Sequence, residues 1–153
     1  MLLSHLTHFH EPSPACNGFA ALPKIRFMDL LDTQIYSVVG EEGLARLVAA
    51  FYRRVPGDAI LGAMYPQDDL AGAEQRLREF LIQRFGGPSH YSERRGHPRL
   101  RMRHAPFEIT QSARDRWIEL MEAALRESQL PPEVEPALRH FFHEAATFMI
   151  NRG

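Results

Sequence analysis

The nine residues Arg99-Leu-Arg-Met-Arg-His-Ala-Pro-Phe107 carry the densest chemistry in the chain, with His104 at their centre. A neutral imidazole is a good ligand for iron or zinc. The residue before a proline avoids helical geometry, so a short helix over 98–104 would end at Ala105-Pro106 and fix the direction of that ring. Arginine forks pair with carboxylates or phosphates. The cluster Arg94, Arg95, Arg99, Arg101 and Arg103 therefore suits the acidic groups of a cofactor, nucleic-acid phosphate, or the chain's own Glu74, Glu79 and Glu93. A surface histidine in a solvated basic loop fits the stretch alone equally well.

Other candidates lie elsewhere in the chain. Tyr52, Tyr65 and Trp117 are polar-tipped aromatics at or beside apolar stripes. A buried phenol or indole N–H needs a partner, so the three are either ordinary core or donors to one shared pocket. His140 and His143 stand three apart on one predicted helix without an evident third metal ligand. His5, His8 and His10 sit in a segment with no carboxylate or cysteine that completes a site. No Gly-rich phosphate loop, nucleophile elbow or His-Glu-x-x-His signature occurs, which argues against conventional hydrolase or nucleotide-binding chemistry.

The elements that must position these residues read as helices throughout. Met28, Leu31, Ile35 and Val38 fall at helical spacing until Gly40. Glu41-Glu42 open a second helix, where negative charge suits the N-terminal end of the dipole. Its stripe is Leu44, Leu47, Val48, Phe51 and Val55, with Tyr52 on the stripe's edge, and Pro56-Gly57 close it. A short helix over 58–64 precedes Tyr65-Pro66. A long helix from Asp68-Asp69 to about Phe85 turns Leu70, Ala73, Leu77, Phe80 and Leu81 inward, and Gly86-Gly87-Pro88 stops it. Residues 88–98 read as an ordered loop. Thr110 or Ser112 caps a helix bearing Trp117, Leu120, Met121 and Ala124. Pro131-Pro132 start the last helix, with Val134, Leu138, Phe141, Ala145 and Phe148 inward. Nothing alternates with period two, so the chain is all-α. Residues 1–26 lack a period and read as an N-terminal extension, with one domain over 27–153.

Composition narrows the function further. The chain has 153 residues, 44% hydrophobic and 24% charged, which suits one globular domain with a real core. Eighteen basic residues nearly balance nineteen acidic ones, so whole-chain charge points to neither nucleic acid nor a membrane surface. The single cysteine, Cys16, allows no disulfide within the chain. No apolar run approaches the roughly 20 residues of a membrane span, and a cytoplasmic protein is the expectation.

Several motifs then resemble a known family, the truncated haemoglobins of the second group, close to the actinobacterial type. They are Phe51-Tyr52, Tyr65-Pro66 with Asp68-Asp69-Leu70, Phe85-Gly-Gly-Pro88, Tyr91-Ser92 with Arg95-Gly96-His97-Pro98, Arg101-Met-Arg-His-Ala-Pro-Phe107, and Trp117. The resemblance runs from about Met28 to Asn151. It implies a truncated globin fold, a two-over-two helical sandwich around haem b. It implies that His104 ligates the iron and that Tyr52, Tyr65 and Trp117 hydrogen-bond a diatomic ligand on the opposite side. Ala73 matches the distal position that is a histidine in many other globins, and Leu77 the bulky residue one turn on. Arg103 becomes a propionate partner and Phe107 a pocket wall. Val39-Gly40 departs from the two glycines the family often has at the first turn.

A bound ligand carrying partial negative charge then depends on donors other than Ala73. Trp117 only donates, while the tyrosines donate or accept. Each donor to such a ligand is worth roughly 1.5–3 kcal/mol in a dry pocket, about ten- to hundredfold in ligand escape. The expectation is a haem protein binding oxygen and other diatomic ligands with slow release, a monomer or homodimer served by a reductase. The alternatives are a haem redox enzyme, peroxidase-like or detoxifying nitric oxide, and an arginine-rich helical phosphate-binding module.

Overall fold

The computed structural model describes residues 32–153, and no strand occurs among them. Six helices follow one another: α1 (Ile35–Tyr52), α2 (Leu70–Arg84), α3 (His90–Arg95), α4 (Leu100–His104), α5 (Gln111–Ser128) and α6 (Glu135–Met149). The helix α1 packs on α2 and α5, and α5 packs on α6, which gives two helix pairs stacked in two layers. The expected extension, residues 1–26, lies outside the described residues, as do Met28 and Leu31.

The stripe on α1 is the spine of the core. Leu44, Leu47, Val48 and Phe51 have no exposed surface, and Tyr52 on the stripe's edge is buried too; the helix ends there rather than at Pro56-Gly57, and Val55, also fully buried, lies in the turn that follows. Removing a residue such as Phe51 from water is worth roughly 1.5–3 kcal/mol. Leu81 and Phe85 from α2, Met121, Ala124 and Leu125 from α5, and Leu138 and Phe142 from α6 close around it. Thr110 caps α5, its hydroxyl accepting from the Ala113 N–H at 3.2 Å, and so satisfies one of the free donors of the first turn.

Two glycines act as the expected breaks. Gly40 takes φ 70° and ψ 174°, which interrupts α1 between the two helical segments read from the sequence. Gly86 takes φ 97°, and a Cβ there would run into the Thr33 carbonyl. That close approach lets the Tyr36 N–H donate to the Phe85 carbonyl at 2.9 Å, tying the start of α1 to the end of α2. The ion pair between Arg84 and Asp32 at 2.7 Å reinforces the join.

Four local expectations are corrected. Residues 90–95, expected as loop, form α3. Its polar face hid the helix, but Tyr91 is buried edge-on to Phe80, and Gln83 both donates to the Ser92 hydroxyl and accepts from the Ser92 N–H. Residues 58–64 form turns with a single 3-10 turn at Gly62–Met64 rather than a helix. The last helix begins at Glu135 with Pro136 in its first turn, not at Pro131-Pro132. Phe148, expected inward, is 58% exposed, because the apolar period outlasts the core that faces it.

Candidate functional site

Five residues alone cannot sustain a helix in water, so α4 depends on outside anchors. Arg103 supplies the first: its Nε donates to the Pro98 carbonyl at 2.8 Å and its Nη2 to the Arg95 carbonyl at 2.6 Å. Arg101 reaches α6, donating from Nη1 to the Phe148 carbonyl at 2.9 Å and lying over the Phe148 ring. Asn151 fastens the other end. Its amide nitrogen donates to the carbonyls of His104 and Phe107, and its amide oxygen accepts from the Ile109 N–H. The chain ahead of α4 enters through Arg99, whose φ of 41° is left-handed.

This frame orients the His104 ring. Nδ1 lies 2.7 Å from the Leu100 carbonyl oxygen one turn back. A carbonyl only accepts, so Nδ1 carries the proton, and in the neutral ring the lone pair is left on Nε2. A backbone acceptor on one nitrogen that leaves the other as a basic lone pair is the arrangement of a metal-ligating histidine. Phe107 sits beside it, ring centroids 6.3 Å apart. Leu100 and Asn151 were not singled out from the sequence. The first acts through its backbone, which no side chain announces, and the second lies 47 residues from His104.

Tyr52, Tyr65 and Trp117 do meet. Phe51 is their common neighbour, with ring centroids at 5.3 Å to Tyr52, 6.5 Å to Tyr65 and 5.3 Å to Trp117. The two tyrosines stand edge to face at 5.7 Å. Burial raises the Tyr52 hydroxyl well above the ordinary phenol range, and repulsion from Tyr65 adds to the rise. Burial pushes the Tyr65 hydroxyl up to about 12, held back by a hydrogen bond from Trp117. The indole nitrogen only donates, so it occupies a lone pair on the Tyr65 oxygen and leaves the phenolic hydrogen free to donate elsewhere. Both phenols remain protonated at neutral pH.

On α2, Ala73 is buried and Leu77 half-buried on the same face one turn apart. Neither supplies a polar group. Arg103, expected to meet an acidic cofactor group, has Nε and Nη2 committed to backbone carbonyls, which leaves Nη1 outside those bonds. Arg94 pairs with Glu79, one of the internal acids expected for the cluster. His143 faces Arg114 and Glu122, and no group of three His, Cys, Asp or Glu side chains among the described residues is arranged around a metal ion. A surface cleft of about 440 Å³ is lined by Leu100 and Met102 of α4 with Phe80, Phe141 and Phe148. It touches neither the His104 ring nor the aromatic trio, so donor chemistry, not cleft size, marks the site.

The family model for bacterial-like globins matches residues 34–151, most of the chain. A group 2 truncated haemoglobin of Bacillus subtilis is 38% identical over 117 residues, covering 76% of this chain and 88% of that protein. The chain belongs to the group 2 truncated haemoglobins. Among solved structures, a thermostable haemoglobin of the actinobacterium Thermobifida fusca is 50% identical with a TM-score of 0.74, covering 76% of this chain and 96% of that one. The haemoglobin of Chloroflexus aurantiacus is 48% identical, also with a TM-score of 0.74, covering 77% and 98%. The two-layer helical arrangement of this truncated haemoglobin is therefore the expected sandwich. Globins hold haem and bind small diatomic ligands such as oxygen. No helix among the described residues is long and apolar enough to cross a membrane.

Proposed function

We propose that this truncated haemoglobin binds oxygen and other diatomic ligands on a haem b held by His104, and releases them slowly. The observation that carries the reading is the Nδ1–Leu100 carbonyl bond, which leaves Nε2 as a lone pair for iron. The donor set suits a haem: one oriented imidazole, a polar trio of protonated donors, and an α2 face on which Ala73 and Leu77 offer no polar group. One cysteine cannot form the Cys-x-x-Cys-His attachment of c-type haem, so non-covalent haem b fits this sequence. When bound, ferrous haem supplies an open coordination position for a diatomic ligand.

The chain's own residues would set how long the ligand stays. Tyr52 and Tyr65 keep their protons at neutral pH and act as donors to a partly negative ligand. Trp117 polarises Tyr65 by donating to its oxygen, which strengthens the phenol as a donor. Ala73 and Leu77 exclude water without competing for the ligand. Phe107 walls the histidine side. Arg103 holds the 95–98 segment against α4 and has Nη1 left for a haem carboxylate. The B. subtilis neighbour is described as an oxygen-avid truncated haemoglobin, 38% identical to this chain, which supports slow release here. A reductase that keeps the iron ferrous completes the cycle.

The test is to purify the protein, measure haem content by the pyridine haemochromogen assay, and titrate the reduced form with oxygen. One haem b per chain and a reversible oxygen spectrum are expected. Colourless protein that takes up no added haemin would overturn the reading.

A further inference from the structure

Between the end of α1 and the start of α2 the chain runs through turns that carry Tyr65, and one buried carboxylate organises them. The Asp58 side chain is 2% exposed. Its Oδ1 accepts from the backbone N–H groups of Ile60 at 3.0 Å and Leu61 at 2.8 Å, while its own carbonyl accepts from the Gly62 N–H at 3.0 Å. The turn is thus wound around the carboxylate, and Gly62 fits its inner side, where a Cβ would press on the Val55 and Pro56 carbonyls at 3.2 and 3.1 Å. The other oxygen, Oδ2, accepts from Arg116 Nε at 2.6 Å.

Arg116 immediately precedes Trp117 on α5. Its Nη1 is itself held by Glu119 at 2.6 Å, so the guanidinium is fixed from both sides. Consecutive residues on a helix point about 100° apart, so the arginine grips the turn while the indole enters the aromatic cluster. Only Ala63 and Met64 separate Gly62, the end of the wound turn, from Tyr65. The ion pair therefore ties the segment that carries Tyr65 to the helix that carries Trp117, two residues whose rings both pack on Phe51. A carboxylate buried with one partner removed is costly, so this pair tolerates little slack.

We propose that Asp58 and Arg116 are positioning residues for the ligand-binding pocket: their ion pair sets the distance between Tyr65 and Trp117 and so tunes ligand release. Neither side chain is placed at the ligand. The inference rests on the aromatic trio being the ligand-facing donors.

The test compares Arg116→Met, Arg116→Lys and Asp58→Asn in the full-length haem-loaded protein. Three readouts are taken: the oxygen dissociation rate, the C–O stretching band of the carbon monoxide complex, and the thermal midpoint. Arg116→Met and Asp58→Asn should release oxygen roughly three- to tenfold faster and shift the C–O band towards that of Trp117→Phe, because an angled or lengthened donor loses strength steeply. Arg116→Lys keeps a cation beside Asp58 and should recover most of the wild-type band and rate. If Arg116→Met and Asp58→Asn lower the thermal midpoint but keep the wild-type band and rate, the pair is merely structural and the proposal fails. Should Arg116→Met not fold, Asp58→Glu takes its place, since it keeps the charge but lengthens the side chain by one methylene: a folded Asp58→Glu protein with the wild-type band and rate would defeat the proposal equally. The trio reading fails differently, by Trp117→Phe itself leaving band and rate at wild-type values. As a readout independent of ligand binding, the emission of Trp117, the one tryptophan of the chain, should shift in Arg116→Met and return in Arg116→Lys.

Discussion

Replacing Trp117 by phenylalanine isolates the donor from the ring. The indole lies 5.3 Å from Phe51 and 5.8 Å from Phe142, and a phenyl ring keeps both neighbours while losing the N–H. The indole has one N–H, so the loss for the pocket is single: the Tyr65 oxygen, or the ligand when it takes that N–H instead, goes without its donor. A hydrogen bond to a partly charged ligand in a dry pocket is worth roughly 1.5–3 kcal/mol, and about 1.4 kcal/mol corresponds to tenfold. Oxygen should therefore leave about ten- to hundredfold faster, while its association rate changes far less. Stopped-flow displacement of oxygen by excess carbon monoxide measures the rate directly. The smaller ring also opens space in the core, at a cost on the order of 1–2 kcal/mol of stability, so thermal unfolding must show that the variant is folded at the assay temperature. Tyr65→Phe and the double variant apportion the effect. If Trp117 acts through Tyr65, the two losses fall short of adding. A folded Trp117→Phe variant whose dissociation rate stays within about twofold of wild type would refute the donor network.

Two further outcomes follow from the same geometry. Gly86→Ala combines a positive φ with a Cβ against the Thr33 carbonyl; strain and overpacking together should cost roughly 2–5 kcal/mol, and calorimetry showing an unchanged midpoint would mean the turn relaxes freely. Tyr65 ionises near 12 in the folded protein and near 10 when unfolded, so the stability it lends is complete below pH 10 and is lost as pH climbs towards 12. Alkaline titration of phenolate absorbance should place its folded-state midpoint in that upper range, and Trp117→Phe should raise it further.

Much of the frame was legible in the sequence because it rests on periodicity. Leu44, Leu47, Val48, Phe51 and Val55 announce a buried helical face, and Gly40 and Gly86 announce breaks that only glycine makes cheaply. What escaped the sequence depends on partners far along the chain. The helix α3 is too polar and short to show a period, and exists because Tyr91 and Ser92 dock on α2. Phe148 shows the reverse: its spacing is helical and apolar, yet it stays 58% exposed, and the Arg101 guanidinium, not an apolar face, lies over its ring. Tyr52, Tyr65 and Trp117 could be named as candidates because polar-tipped aromatics beside apolar stripes are distinctive, and all three pack on Phe51. The Leu100 carbonyl, the Asn151 clamp and the pair of Asp58 with Arg116 could not, since backbone acceptors and ion pairs across 58 residues leave no local pattern.

The central claim is that His104 alone ties the iron to the protein, and His104→Gly tests it most directly. Folded His104→Gly, compared with wild type by Soret absorbance and haem content, should lose most of its haem or bind it with a shifted spectrum. Added imidazole, diffusing into the space left by the side chain, should restore the wild-type band. A His104→Gly protein that keeps full haem content and wild-type ligand spectra without imidazole would contradict the account.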